Sequence, residues 1–439
     1  MKIFYFLFIF IYLSSCSFDN KTGIWTNENN VSENDDIFKE FKRISSTTDV
    51  YNKTISLRNN FNFNLTTPLD NSKWEDIYYD KNNNFINFAY NDLNKIIFKS
   101  KRLSKYQINS HVLVQNNNLF INDDNGNIVI FSIDDNTIFK FNFYKKKYKK
   151  LKKKLNFIVE KNIIYVGDNF GYIYAYDYIN DKIIWAKNYK IPFRSNLKIV
   201  KGKIVLSNQQ NSLLFFDKKN GNLLSLIPTE ETIIQNNFIN NISINNNDIL
   251  FLNSFGSLYS INSENMRLNW FLNLKESYNS STTNLFFGNK IINHNNIIVV
   301  SSNQNTYLVD AVTGAIRKTF NFSSFLKPII NKNYLFIITK NNYLISIDLV
   351  TNKILYSYDI TKEVANYLNT DKKKLIFHEI MLINNELVIF LKNSFNLKFN
   401  INGELNTIRK LPLFINSAPI VLNKSILYID NKNKLGIIN

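Results

Sequence analysis

One phrase recurs along this chain and constrains what it can fold into. Its clearest copy runs from Asn162 to Trp185, NIIYVGDNFGYIYAYDYINDKIIW. It reads as an apolar strand, an Asp-Asn-x-Gly turn, an alternating strand ending in Asp, a second turn, and an apolar strand carrying a Trp. Weaker copies lie at 125–135, 208–224, 255–270, 303–318 and 341–356. Repetition of a unit this long means that one supersecondary element is used many times.

The Asp177 position sets the register. Its equivalents are Asp134, Asp217, Asn262, Asp310, Asp348 and about Asn400, at spacings of 43, 40, 45, 48, 38 and 52 residues. That is the period of a four-stranded propeller blade rather than of a helical repeat. Within each copy apolar residues alternate, as at Tyr172, Tyr174 and Tyr176, the mark of strands. Asp217–Gly221 and Asp310–Gly314 spell Asp-x-x-Asn/Thr-Gly, in which Asp bonds backbone groups ahead of it and Gly supplies positive φ. Trp185 and Trp270 occupy one blade position and read as wedges between blades. No long amphipathic helix is expected in 85–439, and one short helix is expected at Asp35–Ile44.

The C-terminal segment SILYIDNKNKLGIIN supplies two strands and stops at Asn439, where the register Asp should fall. Its outer strand is missing. Asn94–Leu103 (NKIIFKSKRL) looks like an outer strand without inner strands of its own. It is therefore expected to complete the last blade, removing the two exposed sheet edges. The fold class follows: all-β, an eight-bladed β-propeller of four-stranded antiparallel blades. Seven blades is the alternative, because the unit around Asn400 is short and irregular.

Residues 1–16, MKIFYFLFIFIYLSSC, have the charged start and apolar run of an export signal. The run falls short of the about 20 residues a membrane span needs. Cys16, the sole cysteine, closes a Leu-Ser-Ser-Cys sequence that looks like a bacterial lipoprotein box. Cys16 is thus the expected lipidation site, and Ser17 after it favours the outer membrane. The expected organisation is a signal at 1–15, a lipidated and weakly ordered tether at 16–84, and the propeller at 85–439. As a coil the tether would reach on the order of 40 Å. With one cysteine there is no internal disulfide, so the fold rests on its own core.

Net charge is +18. Much of it is scattered lysine in a chain saturated with Asn, Lys, Ile, Phe and Tyr, residues of AT-rich codons. The run KKKYKKLKKK is different: Lys145, Lys146, Lys147, Lys149, Lys150, Lys152, Lys153 and Lys154 fill eight of ten positions. Such a run repels itself and reads as a solvated loop between blades. The next connection of the same kind holds Ile191-Pro192-Phe193-Arg194-Ser195-Asn196, so the two are expected on one rim with the Asp168–Gly171 turn. For an exported chain an acidic protein surface or lipopolysaccharide phosphate matches the lysines better than nucleic acid. A loop that binds nothing is the other reading.

No catalytic constellation is legible. His111, His294 and His378 lie in different blades with no ligand spacing, and no metal site is expected. No nucleophile elbow or phosphate loop occurs. Asp177, Asp217, Asp310 and Asp348 read as turn formers.

The repeat, fullest at Asp177–Trp185 and Asn262–Trp270, resembles the tryptophan-docking repeat of pyrroloquinoline-quinone dehydrogenases across about 85–439. Those enzymes carry a Cys pair over the cofactor, and this chain has no second Cys; no cofactor and no enzymatic activity are expected. Repeat and lipoprotein box together resemble the BamB family, outer-membrane lipoproteins of the β-barrel assembly machinery. The resemblance implies a non-enzymatic eight-bladed scaffold, a monomer within a complex. It would bind the POTRA domains of BamA and assist insertion of unfolded outer-membrane proteins from the periplasmic face of the outer membrane. It also implies that Phe193, Arg194, Ser195 and Asn196 form the partner-binding connection, with Phe193 as an exposed apolar anchor beside Arg194; the other reading of Phe193 is that it tucks against its own blade. The family's acidic pair falls at Asn237 and Ile239, where this chain has no carboxylate. Other readings are a ligand- or quinone-binding periplasmic propeller and an envelope polysaccharide or adhesion propeller.

Overall fold

The structure is a computed structural model that describes residues 17–18, 25–26 and 51–439, except 110, 146–147, 149, 232–238 and 275–285. Cys16 and the helix expected at Asp35–Ile44 lie outside the described residues. The chain divides into two units, 1–50 and 51–439. In the first, Ser17–Phe18 pairs antiparallel with Trp25–Thr26.

The second unit contains eight antiparallel blades in a ring, so the eight-bladed expectation holds and the seven-bladed alternative does not. Blades 1 to 8 span 113–142, 155–188, 198–227, 241–273, 292–320, 329–359, 377–410 and 420–438. The unit around Asn400 is a regular blade, with Phe395–Phe399 paired to Leu405–Lys410. Ring closure is as expected. The strand Ile96–Arg102 pairs antiparallel with Lys434–Ile438, with Phe98 opposite Ile437.

Burial explains the residue pattern within a blade. In blade 2 the middle strands Ile163–Asp168 and Tyr172–Asp177 are buried along nearly their whole length, while Lys182–Asn188 buries only Trp185. Strands covered on both faces read as apolar runs, and the outermost strand faces water. Seven blades carry a register shift between third and fourth strands, in blade 2 at Ala175/Tyr176. An extra residue there increases local twist.

The register residues cap turns. Asp177 accepts from the Ile179 and Asn180 N–H groups, and Asp310 from Val312 and Thr313. Asp217 and Asp348 accept from Lys219 and Val350. Trp185 reaches across to blade 3, where its Nε1 donates to the Lys218 carbonyl at 3.1 Å. Trp270 does the same to Ala311 of blade 5, also at 3.1 Å. Each ring lies on the glycine of the neighbouring turn. A Cβ at Gly221 would sit 2.3 Å from the Trp185 ring, and Gly221 has φ +72°.

One element departs from expectation, and one short helix goes beyond it. Residues 51–84, assigned to the tether, are built into the ring. Ile55 exchanges backbone hydrogen bonds of 2.9 Å with Ser357 on the outer strand of blade 6. Phe63 packs edge-on against Tyr334 at 4.8 Å, and Trp74 and Tyr78 are buried. The asparagines and serines of this stretch mask its apolar residues, which bury area enough to fix the backbone. A nine-residue helix, Ile360–Leu368, follows blade 6. Asp359 caps it by accepting from the Lys362 N–H at 3.2 Å, and that Asp was its legible signal.

Candidate functional site

The inner strands of a propeller present unpaired backbone groups to the central channel. Here a segment of the same chain, residues 69–90, fills that channel and meets every blade. Trp74 exchanges backbone hydrogen bonds with Val114 of blade 1, at 2.7 and 2.8 Å. Val159 N–H of blade 2 reaches the Glu75 carbonyl, and Ile244 and Asn293 of blades 4 and 5 donate to Lys81 and Asn82. Asp76 pairs with Lys198 of blade 3. The Asn84 amide mimics a peptide against blade 6, donating to the Ile330 carbonyl at 2.7 Å and accepting from its N–H at 2.9 Å. Asn87–Phe88 adds to blade 7 as a parallel strand, and Asn71 bridges to Val421 and Asn423 of blade 8. Asparagine suits this role because one side chain both donates and accepts, which satisfies strand edges no neighbour pairs.

Beside this segment lies a cavity of about 80 Å³ lined by Trp74, Tyr78, Phe85, His111, Val112, Lys290, Lys327, His378, Glu379 and Ile420, among others. Its charged groups come from blades far apart in sequence. Lys327 Nζ donates to the Asn83 carbonyl at 2.9 Å and lies over the Phe85 ring. Lys290 Nζ sits 4.7 Å from the centre of the Tyr78 ring. Desolvation lowers the pKa of both lysines, opposed by the Glu379 carboxylate. Desolvation, with Lys290 and His378 nearby, brings His111 down to about 3, so it is neutral. The sequence reading kept His111 and His378 apart because they lie in different blades; the ring brings them to one cavity, while His294 lies elsewhere. Glu379 is likewise a carboxylate on a strand rather than in a turn, while Asp76 caps the 76–79 turn by accepting from the Tyr78 N–H and turns its other oxygen to Lys198.

This donor set does not fit a calcium–quinone centre of the dehydrogenase kind. Calcium takes six to eight oxygen ligands, several of them carboxylate. Here Lys198, Lys290 and Lys327 outnumber Asp76 and Glu379, and Asp76 is already held by Lys198 at 2.6 Å.

The connection between blades 2 and 3 is locked rather than displayed. Of the two readings of Phe193, exposed anchor or residue tucked against its own blade, the structure shows the second. It is 4 % exposed, packed against Phe216, Leu197 and Leu206. Its N–H donates to the Asp168 carbonyl and Arg194 N–H to Ser207. Ser195 and Asn196 are buried: Ser195 Oγ accepts from Ser207 N–H, and Asn196 bonds both polar groups of Ile242. The same device recurs before blade 8, where Ser417 Oγ accepts from Ile429 N–H and Ile415 bridges Asp430. The signal was in the sequence as Phe193-Arg194-Ser195 and Ile415-Asn416-Ser417, a latch that belongs to the repeat. Arg194 alone of the four is partly exposed, and desolvation holds its guanidinium below its usual range. Ile239 is 47 % exposed, and Asn237 lies outside the described residues.

The lysine run and this connection meet at one turn, as their spacing implied. Lys154 N–H donates to Asn169 Oδ1, and Phe193 N–H to Asp168. Lys145, Lys150, Lys152 and Lys154 are exposed, and Lys152 pairs with Asp124 at 2.7 Å. Lys146, Lys147 and Lys149 lie outside the described residues. Lys153 departs from the expected solvated loop: it is 1 % exposed, with Nζ 5.6 Å from the Tyr144 ring centre. Its stem packs while desolvation lowers its pKa, opposed by Asp123.

Fold and channel define an eight-bladed propeller of the quinoprotein-repeat class. A family model described as outer membrane protein assembly factor BamB matches residues 124–358, more than half of the chain. The chain belongs to that family. Among solved structures it is similar to BamB from Moraxella catarrhalis, at 11 % identity over 79 % of this chain and 99 % of that one, with a TM-score of 0.62. It is also similar to the quinohemoprotein alcohol dehydrogenase of Comamonas testosteroni, at 8 % identity over 83 % and 80 % with a TM-score of 0.60. A europium-containing methanol dehydrogenase aligns at 10 % identity over 83 % and 90 %, with a TM-score of 0.61. At such identities these likenesses concern the fold. Comparison with curated proteins found no match.

Proposed function

We propose that this protein is a non-enzymatic scaffold lipoprotein of the outer-membrane β-barrel assembly machinery. Cys16 carries the lipid anchor, and the propeller docks on the POTRA domains of a BamA-type protein while unfolded outer-membrane proteins are inserted. The observation that carries this reading is membership of the BamB family over 124–358. The filled channel supports it, because residues 69–90 occupy the centre and leave the rims for contact. On one rim Arg194 stands on a rigid latch, with exposed lysines of the 145–154 run across the Asp168–Gly171 turn. A partner of acidic character matches that rim. Affinity capture from detergent extracts of the native membrane tests the reading. Recovery of a BamA-type barrel protein is expected, and recovery of no assembly component would sink it. Arg194→Ala should weaken that capture, and Cys16→Ala should release the protein from membranes.

The likeness to quinoprotein dehydrogenases favours one second reading, a quinone-binding enzyme. The lysine-rich channel argues against it. Adding pyrroloquinoline quinone and calcium decides: a bound-cofactor absorbance would revive the enzyme reading.

A further inference from the structure

The channel holds a charge imbalance that its own residues leave open. Lys198, Lys290 and Lys327 lie in one electrostatic cluster with the carboxylates Asp76 and Glu379, while Asp80 and Lys81, which also act on Lys198, are exposed to solvent and offset each other. Lys198 and Asp76 are spent on each other at 2.6 Å. That leaves the amino groups of Lys290 and Lys327 facing the single carboxylate of Glu379, beside a neutral His111; desolvation disfavours the charge on both lysines until an anion joins them. Lys327 has the Asn83 carbonyl as a partner, whereas Lys290 is partly buried and, among the described residues, its charged end meets only the Tyr78 ring and the cavity. Among the described residues, the side chains of Lys290, His111, His378 and Glu379 make no hydrogen bond, although all four line the cavity. Polar donors that converge on a cavity without partners of their own are the make-up of a small-molecule site.

Size and charge narrow the ligand. A cavity of about 80 Å³ holds only a few heavy atoms, given that one water needs roughly 10–15 Å³ on this measure. Two lysines set against one carboxylate match a monoanion better than a dianion. One side of the cavity is apolar, formed by Trp74, Phe85, Val112 and Ile420. We propose that this cavity binds a small monocarboxylate. Its carboxylate is held by Lys290 and Lys327 with an imidazole N–H of the histidine pair, and its short carbon end lies against the apolar wall. The site is independent of the scaffold reading, because it lies in the channel rather than on the rim.

Thermal unfolding and calorimetric titration of the full-length protein with sodium acetate, sodium chloride and sodium phosphate test this. Acetate is expected to bind at one saturable site and raise the melting temperature, as any ligand of the folded state must. Lys290→Met removes one of the two lysines. It should leave the unliganded protein at least as stable as the native one and weaken acetate at least about tenfold. An acetate response unchanged in a folded Lys290→Met protein, or no saturable response in the native protein, overturns the site. An equal response to chloride or phosphate overturns the carboxylate assignment.

Discussion

Lys198 Nζ on the inner strand of blade 3 donates to Asp76 Oδ2 at 2.6 Å, and both side chains are buried. Asp76 lies 122 residues earlier, in the segment that fills the channel. The pair therefore ties that segment to the ring by charge. Replacing Asp76 with Asn should destabilise the protein by about 3–5 kcal/mol, because it strands a buried ammonium. Asp76→Asn with Lys198→Met should recover much of the loss. Urea unfolding of the three proteins checks this; an additive double variant would mean that the pair is not coupled.

The Trp185 ring lies on Gly221, so Gly221→Ala should both clash and strain the turn, costing about 2–4 kcal/mol. Gly202 also has positive φ, +74°, but nothing lies within 4 Å of where its Cβ would stand. Gly202→Ala should therefore cost only the backbone term, about 1 kcal/mol. Comparing their melting temperatures separates ring contact from strain. Equal losses would deny the Trp185 contact.

His111 should make the protein acid-sensitive. Its folded pKa is lowered to about 3, against 6.5 unfolded. Between those values the unfolded chain binds more protons, so stability falls as pH drops through this window. The slope is at most about 1.4 kcal/mol per pH unit for one group. Denaturation midpoints at neutral and mildly acidic pH should converge less in native protein than in His111→Gln, whose loss on acidification is smaller. Identical acid losses would remove His111 from the linkage.

Deleting residues 434–439 removes the partner of Ile96–Arg102 and reopens the ring. Two strand edges become available to other chains. Light scattering should show association of the shortened protein at concentrations where the full chain is monomeric. A monodisperse shortened protein would show that closure is dispensable.

Blade number, closure and the turn-forming aspartates were readable from local sequence, because each rests on spacing and on residues a few positions apart. Phe193 was not. Its apolar ring beside Arg194 has the composition of an interface anchor, and only packing against Phe216 and the Asp168 carbonyl shows it to be a latch. The stretch 51–84 is illegible for the opposite reason: asparagines at 82–84 look like linker composition, but they satisfy inner-strand edges that exist only once the ring has formed.

The sequence by itself determined the repeating blade, its count and the strand that closes it. These follow from period-2 alternation and a roughly 40-residue recurrence, which are properties of neighbouring residues. Tertiary structure alone decided what occupies the centre. Ring closure brings Lys198, Lys290, Lys327, Glu379, His111 and His378 around Asp76, although they are scattered over some three hundred residues. No local pattern encodes such a meeting, because it is set by the curvature of eight blades summed around a circle.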